Sequence, residues 1–446
     1  DNVDVLTGLA ALAERERDYA RAESLVTRSI KIKEGLLGKD HLSIVMKDLH
    51  NLGFLHSAMQ NHELASETLS HVLDVQLEHF GLDHARTAVV IENLAREQYR
   101  LTRVAAAESL MAVSLGIARR LSPHGGSFLV SRLINSGFIF YGIGKPTEAI
   151  VVLEESLDLV EGTVLEKHPN TTVALANLGD AQMSLSSYRG ARDTYQRSRE
   201  LQSELEVQPA TRRRMDLKLS LAVAMCGDSK SARELARDCA AFFAENTKSL
   251  EWGIATARYA LAEHLAGRLD AADRLYESVL EQGSLTPFYR LPIETRQLAC
   301  VMDTPDLEPG GFARIESSLV ALDNELSAAK TRHRVLPVEL SIKIATVQLM
   351  GELSDEALQT LAVARARIRP GETEHLEAKI DHLEGLALLQ QGRPGEAEDR
   401  FARSRAQVLR RDAALIGYDW ALSKAAQHYA PDEIAGAYLE RRVRQD

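Results

Sequence analysis

The sequence predicts an all-α fold, an α-solenoid of about ten helical hairpins, and three observations lead there. Asparagine recurs every 42 residues in Asn51-Leu52-Gly53, Asn93-Leu94-Ala95, Asn135-Ser136-Gly137 and Asn177-Leu178-Gly179. An alanine follows the small residue of each triplet by 12 positions, at Ala65, Ala107, Ala149 and Ala191. The composition is 45% hydrophobic but only 5% aromatic, with 12 prolines in 446 residues, which suits helices packed through small contacts better than a β-sheet core. Self-similarity at such a period marks a stack of small units, each of which buries its apolar face only against its neighbours.

The 12-residue offset extends along the chain as Ala10/Ala22, Gly53/Ala65, Ala95/Ala107, Gly137/Ala149, Gly179/Ala191, Ser220/Ala232, Ala260/Ala272, Ala345/Ala357 and Gly385/Ala397. Small side chains at these positions let the two antiparallel helices of a hairpin approach closely where they cross. Between them lies a turn signal, as in Gly144-Lys145-Pro146, Cys226-Gly227-Asp228, Gly267-Arg268-Leu269 and Gly392-Arg393-Pro394, where glycine ends a helix in the left-handed region. Leu25, Ile30 and Ile32, or Ile150, Leu153, Leu157 and Leu159, supply the apolar stripe of a second helix. The organisation read from this is 1–205, five regular 42-residue repeats, and 206–283, two shorter repeats. A degenerate repeat with a Pro/Gly loop follows at 284–335, then two repeats and capping helices at 336–446. Within the degenerate repeat, helices are expected over Ile293–Met302 and Phe312–Lys330, joined by the loop Asp303–Gly311, because proline and glycine interrupt any continuous helix. The polar pairs Ala413–Tyr429 and Pro431–Arg442 are expected to cap the stack.

The Leu-small pair, the alanine 12 residues on and the glycine turn together resemble the tetratricopeptide repeat. The 42-residue period exceeds the common ~34. With Leu37-Gly38-Lys39-Asp40-His41, Phe80-Gly81-Leu82-Asp83-His84 and His168-Pro169 between units, the chain is similar to the kinesin-light-chain type, although Leu42 and Ala85 stand where that linker has proline. The resemblance implies a right-handed superhelix whose first helices line a concave groove, with the residue before each Leu-small pair facing it. Those residues are Asn51, Asn93, Asn135 and Asn177, and a ladder of side-chain amides can hold the backbone of an extended peptide. The alternative is that each amide bonds a neighbouring helix. One helical turn away on the same face lie Lys47, Phe54, Glu92, Arg96, Tyr99, Phe138, Tyr141 and Asp180, a mixture of aromatic and charged groups suited to recognition. Phe54 and Phe138 also suit packing between helices. Arg212, Arg213, Arg214 and Lys218 form a second patch in which Arg214 and Lys218 are candidates to hold an acidic segment, against the simpler reading of a solvated helix start.

Net charge is -11, so phosphate backbones and anionic lipid are not expected partners, and no stretch approaches the roughly 18 unbroken apolar residues of a membrane span. Cys226, Cys239 and Cys300 show no ligand spacing and read as core thiols in a reducing, cytoplasmic compartment. His41, His84 and His168 fall one or two repeats apart, too far for one zinc ion, and a structural role in each linker is expected instead. Gly142-Ile143-Gly144-Lys145-Pro146-Thr147 has Ile139 and Pro146 where a phosphate loop needs glycine and a hydroxyl, and no nucleophile, base and orienting group share a credible spacing. The expectation is a non-enzymatic scaffold with a protein or peptide partner and no cofactor. The alternative is the regulatory or sensor region of a larger bacterial signalling protein, a kinase or a nucleotide switch, with its catalytic part upstream of Asp1.

Overall fold

In the computed structural model, residues 2–38, 41–185, 187–281, 285–303, 309–328, 336–368 and 376–414 are described, and they form 20 α-helices with no strand among them. Contacts separate the chain into two units, Asp1–Asn177 and Leu178–Asp446. Unit 1 holds α1 (Val3–Arg15), α2 (Tyr19–Leu37), α3 (His50–Ala58), α4 (His62–Phe80), α5 (Ala85–Arg100), α6 (Val104–Leu121), α7 (Ser127–Gly142) and α8 (Pro146–Asp158). Helix α9 (Pro169–Ser184) contains the boundary. Unit 2 continues with α10 (Tyr188–Glu204), α11 (Pro209–Met225), α12 (Ser229–Phe243), α13 (Leu250–Leu265), α14 (Leu269–Leu280) and α15 (Pro287–Met302). It ends with α16 (Pro309–Ala328), α17 (Leu336–Met350), α18 (Ser354–Ala366), α19 (Glu377–Gln390) and α20 (Pro394–Ala414).

Consecutive helices pack as antiparallel hairpins, α5 with α6, α7 with α8, α13 with α14 and α19 with α20 among them. Within each unit first helices also touch the first helices of adjacent hairpins, α5 with α7, α11 with α13, α13 with α15, α15 with α17 and α17 with α19. The first helices therefore form the inner layer, covered on one side by the second helices. Burial follows from this. Helix α17 buries Val338, Leu340, Ile342, Ile344, Val347 and Leu349 around its circumference, whereas α18 buries only Ala357, Leu361 and Ala364 along one stripe.

The packing that fixes each hairpin lies one turn beyond the expected alanine. Ala65, Ala149, Ala191 and Ala397 are fully buried, but the space left by Gly53, Gly137, Gly179 and Gly385 is filled by the residue 16 positions on. A Cβ on Gly53 would stand 3.0 Å from Leu69, and one on Gly385 would stand 2.6 Å from Phe401; Gly137 lies likewise under Leu153 and Gly179 under Tyr195. The same offset joins Ala10 to Val26, Ala95 to Met111, Ala260 to Tyr276 and Ala345 to Leu361 in their core clusters. The small residue thus admits one large side chain, which the neighbouring alanine leaves room to enter.

Seven residues after the small position, in every hairpin where that residue is described, the backbone turns left-handed. Glycine occupies that place at Gly144, Gly227, Gly267 and Gly392, yet Arg17, Gln60, Thr102 and Glu352 adopt the same conformation with φ of 61 to 65°. The next amide closes the turn on the carbonyl five residues back, as in Asp18 N to Ala13 O (2.9 Å), Asn61 N to His56 O (2.9 Å) and Lys145 N to Phe140 O (2.8 Å). Four of these eight left-handed residues therefore escape a search for glycine.

The linker histidines take the expected structural role. His84 Nδ1 accepts the Arg86 amide (3.2 Å) and His168 Nδ1 accepts the Asn170 amide (3.1 Å), each closing the start of the next helix. Thr87 and Thr171, three residues on, donate back to the carbonyls of Gly81 and Leu165. His41 Nδ1 accepts the Ser43 amide at a longer distance (3.4 Å) and also bonds the Ser43 hydroxyl (2.8 Å), and the helix that follows is different: Ile44–Leu49 is a π-helical turn leading into α3. His41 precedes Asn51 by 10 residues, whereas His84 precedes Asn93 and His168 precedes Asn177 by 9. The π turn absorbs the extra residue and returns Asn51 to register.

Two expectations need correction. Helix α15 starts at Pro287 rather than near Ile293 and carries Pro292 in its second turn, where the missing N–H removes one bond close to the helix start. Helix α16 starts at Pro309 rather than Phe312, since proline suits a first turn. The expected capping pair lies outside the described residues, apart from the last residues of α20. Cys239 and Cys300 are buried, and burial pushes their thiols up to about 12 and about 11, so they serve as core residues.

Candidate partner-binding site

The inner layer of unit 1 contains a cavity of about 650 Å³ built by α1, the π turn with α3, and α5. Lys47, Asn51, Phe54, Asn93 and Arg96 all line it, so five of the residues singled out from the sequence converge there. Thr7 and Ala11 close it from α1. The π turn matters here because it places Lys47, Asp48 and His50 on this wall.

The asparagines form a relay between first helices. The Asn93 amide donates to His50 Nε2 (2.9 Å), and the Asn135 amide donates to Glu92 Oε1 (2.8 Å). Burial pushes the His50 pKa down, which keeps the ring neutral with Nε2 as acceptor. Each of these amides spends one N–H on the preceding repeat and keeps its oxygen. Asn51 and Asn177 form no hydrogen bond among the described residues and are half-buried. The neighbouring-helix role thus applies to two of the four.

Glu92 does not face the groove as a free charge. It is 2% exposed and accepts from Arg96 (3.1 Å) and Asn135 while pairing with Arg132. Burial pushes its carboxyl up, against the Arg132 and Arg96 charges. A second buried carboxylate, Glu97, accepts from Ser57 (2.9 Å), His62 (2.9 Å) and Arg100 (3.0 Å) and ties α3, α4 and α5 together. Asp48 holds Lys33 at 2.6 Å. Lys47 is exposed and has no partner among the described residues.

Aromatic groups continue the face onto α7. Tyr99 packs edge-on to Phe138 with ring centroids 6.4 Å apart, and it occupies the place a Cβ on Gly142 would take. Phe54 is 54% exposed, Phe138 45% and Tyr141 38%. Phe54 is therefore a surface group, whereas Phe138 is partly exposed and also packs between helices against Tyr99.

In unit 2 the remaining residues pair with one another. Asp180 accepts the Tyr195 hydroxyl (2.7 Å) and holds Lys218, and Arg214 holds Glu251 at 3.0 Å. Arg213 pairs with Asp216 (3.2 Å) and lies over the Phe242 ring. Among the groups that matter, sequence reasoning passed over His50, Glu97 and Arg132. His50 adjoins Asn51, and Glu97 lies four residues beyond Asn93 on the same face, so helical spacing alone reaches both. Arg132 is found only once α5 and α7 are seen side by side.

No family model matches the chain, and no curated protein does. Among solved structures, the chain is similar to a putative kinesin light chain with nearly identical TPR-like repeats from Podosopora anserina. Identity is 18%, the match covers 46% of this chain and 97% of that one, and the TM-score is 0.41. A tetratricopeptide repeat protein from Parabacteroides merdae is 15% identical over 68% of this chain and 98% of its own, with a TM-score of 0.46. The apo form of RapI is 13% identical over 63% of this chain and 97% of its own, with a TM-score of 0.49. The hairpins themselves, with their small inner residue, left-handed turn and inner layer of first helices, are of the tetratricopeptide type.

Proposed function

We propose that the chain is a non-enzymatic interaction scaffold that holds an extended segment of a partner protein along the inner face of unit 1. The observation that carries this reading is the cavity where Lys47, Asn51, Phe54, Asn93 and Arg96 meet from successive first helices, continued by the exposed rings of Phe138 and Tyr141. The amide of Asn51 and the oxygens of Asn93 and Asn135 suit a peptide backbone, the rings supply contact area, and Lys47 supplies one unneutralised charge. Arg214 and Lys218 are left out of this site because carboxylates of the chain already hold them. No helix among the described residues is long and apolar enough to cross a membrane, and three free cysteines favour a reducing, cytoplasmic setting.

Random 12-residue peptides selected by display on the full chain test the reading. Affinity of the selected peptides should fall at least tenfold on the pair Phe54→Ala and Phe138→Ala, and less on Asn93→Ala with Asn135→Ala, with helical circular dichroism unchanged. Peptides that bind both double variants as well as the parent chain would reject the groove.

A further inference from the structure

Four cations on the inner layer of unit 2 stand apart from all those described above. Arg258 on α13, Arg296 on α15, Lys343 on α17 and Lys379 on α19 come from four successive first helices, and none forms a hydrogen bond or ion pair among the described residues. Arg199, Arg213, Lys218, Arg365, Arg367 and Arg400 in the same unit each hold a carboxylate. Arg258, Arg296 and Lys343 are half-buried. The Nη1 atom of Arg258 is enclosed without a partner, and so is the hydroxyl of Tyr276 on α14, whose ring is fully buried.

These groups are neighbours. The charges of Arg258 and Arg296 both act on the Tyr276 hydroxyl, Arg296 opposes the charge on Arg258, and Arg296 and Lys379 oppose the charge on Lys343. The carboxylates that act on them are few. Asp180 is taken by Lys218 and Tyr195, Asp303 accepts from His264 (2.7 Å), and Glu339 is exposed. Unpaired cations on a partly enclosed face weaken the fold and contribute nothing to packing that a neutral side chain would not. Burial pushes the Lys343 amine down to about 8, in keeping with this crowding.

We propose that Arg258 and Arg296 form a phosphoryl-binding subsite on the inner face of unit 2, filled by a phosphorylated side chain of a partner segment, with Lys343 and Lys379 as flanking charges. The donor set decides the class. Two guanidinium forks offer donors and no acceptor, and a phosphomonoester brings three acceptor oxygens and close to two negative charges. A carboxylate brings two oxygens and one charge, which leaves one guanidinium uncompensated. None of these residues belongs to the unit 1 groove, so the subsite is independent of that groove.

The test is binding of acetyl-Gly-phosphoserine-Gly-amide to the full chain by calorimetry, beside its serine and glutamate counterparts and inorganic phosphate, at fixed ionic strength. The phosphopeptide should bind at least tenfold more tightly than the glutamate peptide. Arg258→Gln and Arg296→Gln should each weaken it at least tenfold. Arg296→Lys should restore part of the loss. Tighter binding of inorganic phosphate than of the phosphopeptide, abolished by the same substitutions, would keep the subsite and reassign its source to free phosphate. A glutamate peptide that binds equally well, or binding unchanged in both arginine variants, would overturn the proposal. Thermal melting of the variants guards against misfolding, since removing either arginine relieves repulsion and should not lower the transition.

Discussion

The two units carry different chemistry at one register position of the same hairpin. Two residues before the small residue of each first helix, unit 1 has Asn51, Asn93, Asn135 and Asn177, with Gly8 in its first hairpin. Unit 2 has Lys218, Arg258 and Lys343, with Leu383 in its last complete hairpin. In unit 1 the buried charges on this face are closed internally, Glu92 by Arg132 and Arg96, and Glu97 by Arg100 and His62. In unit 2 cations on successive helices are left open. The helical scaffold therefore sets where an inner-face side chain stands, and the residue chosen there sets whether the face is satisfied by the protein or left for a ligand.

Charge deletions should break this comparison in opposite directions. In unit 1, Arg132→Ala removes the partner of a carboxylate that is 2% exposed, and stability should fall by about 3 kcal/mol in urea unfolding. An unchanged midpoint would mean that Arg96 and Asn135 satisfy Glu92 alone. In unit 2, Arg296→Gln removes an uncompensated charge and should raise stability by about 1 kcal/mol under the same conditions. A loss there would show that Arg296 has a structural partner after all.

Titration sharpens the same contrast. The folded pKa of His50 is pushed below 6.5, so its contribution is present above 6.5 and is lost as pH falls through the lowered value. Acidification should thus weaken protection of α3 and α5 in hydrogen exchange, because a protonated ring cannot accept from Asn93. Lys343 behaves alike at the alkaline end. Its folded pKa of about 8 lies below 10.5, so stability is present above 10.5 and is lost as pH falls through about 8. Arg296 and Lys379 disfavour its charge and Glu339 and Asp303 favour it, so Arg296→Gln should narrow that window.

Much of the fold was legible because close packing writes a period into the residues that must be small. Ala65, Ala149 and Ala397 are fully enclosed where the 12-residue offset places them. The partner 16 positions on was harder to read, since Leu69, Leu153, Tyr195 and Phe401 share size but not type. Left-handed turns at Arg17, Gln60, Thr102 and Glu352 carry no glycine, and the surrounding hairpin enforces a conformation that the local sequence does not favour. The residue extra to the His41 to Asn51 interval was visible as a count, but its outcome as a π turn was not. Of the candidate site, the residues on one helix were reached by spacing. Their partners across helices, Arg132 for Glu92 and Lys218 for Asp180, needed the third dimension, and they decide which charges remain for a ligand.

Site-directed photocrosslinking tests the inner-face account most directly. Benzoylphenylalanine would replace Phe54 or Phe138 on the first helices, or Val151, which is 59% exposed on the second helix α8. With a peptide selected on the parent chain, covalent product should form from positions 54 and 138 and not from 151. Product from 151 alone would place recognition on the outer helices and contradict the account.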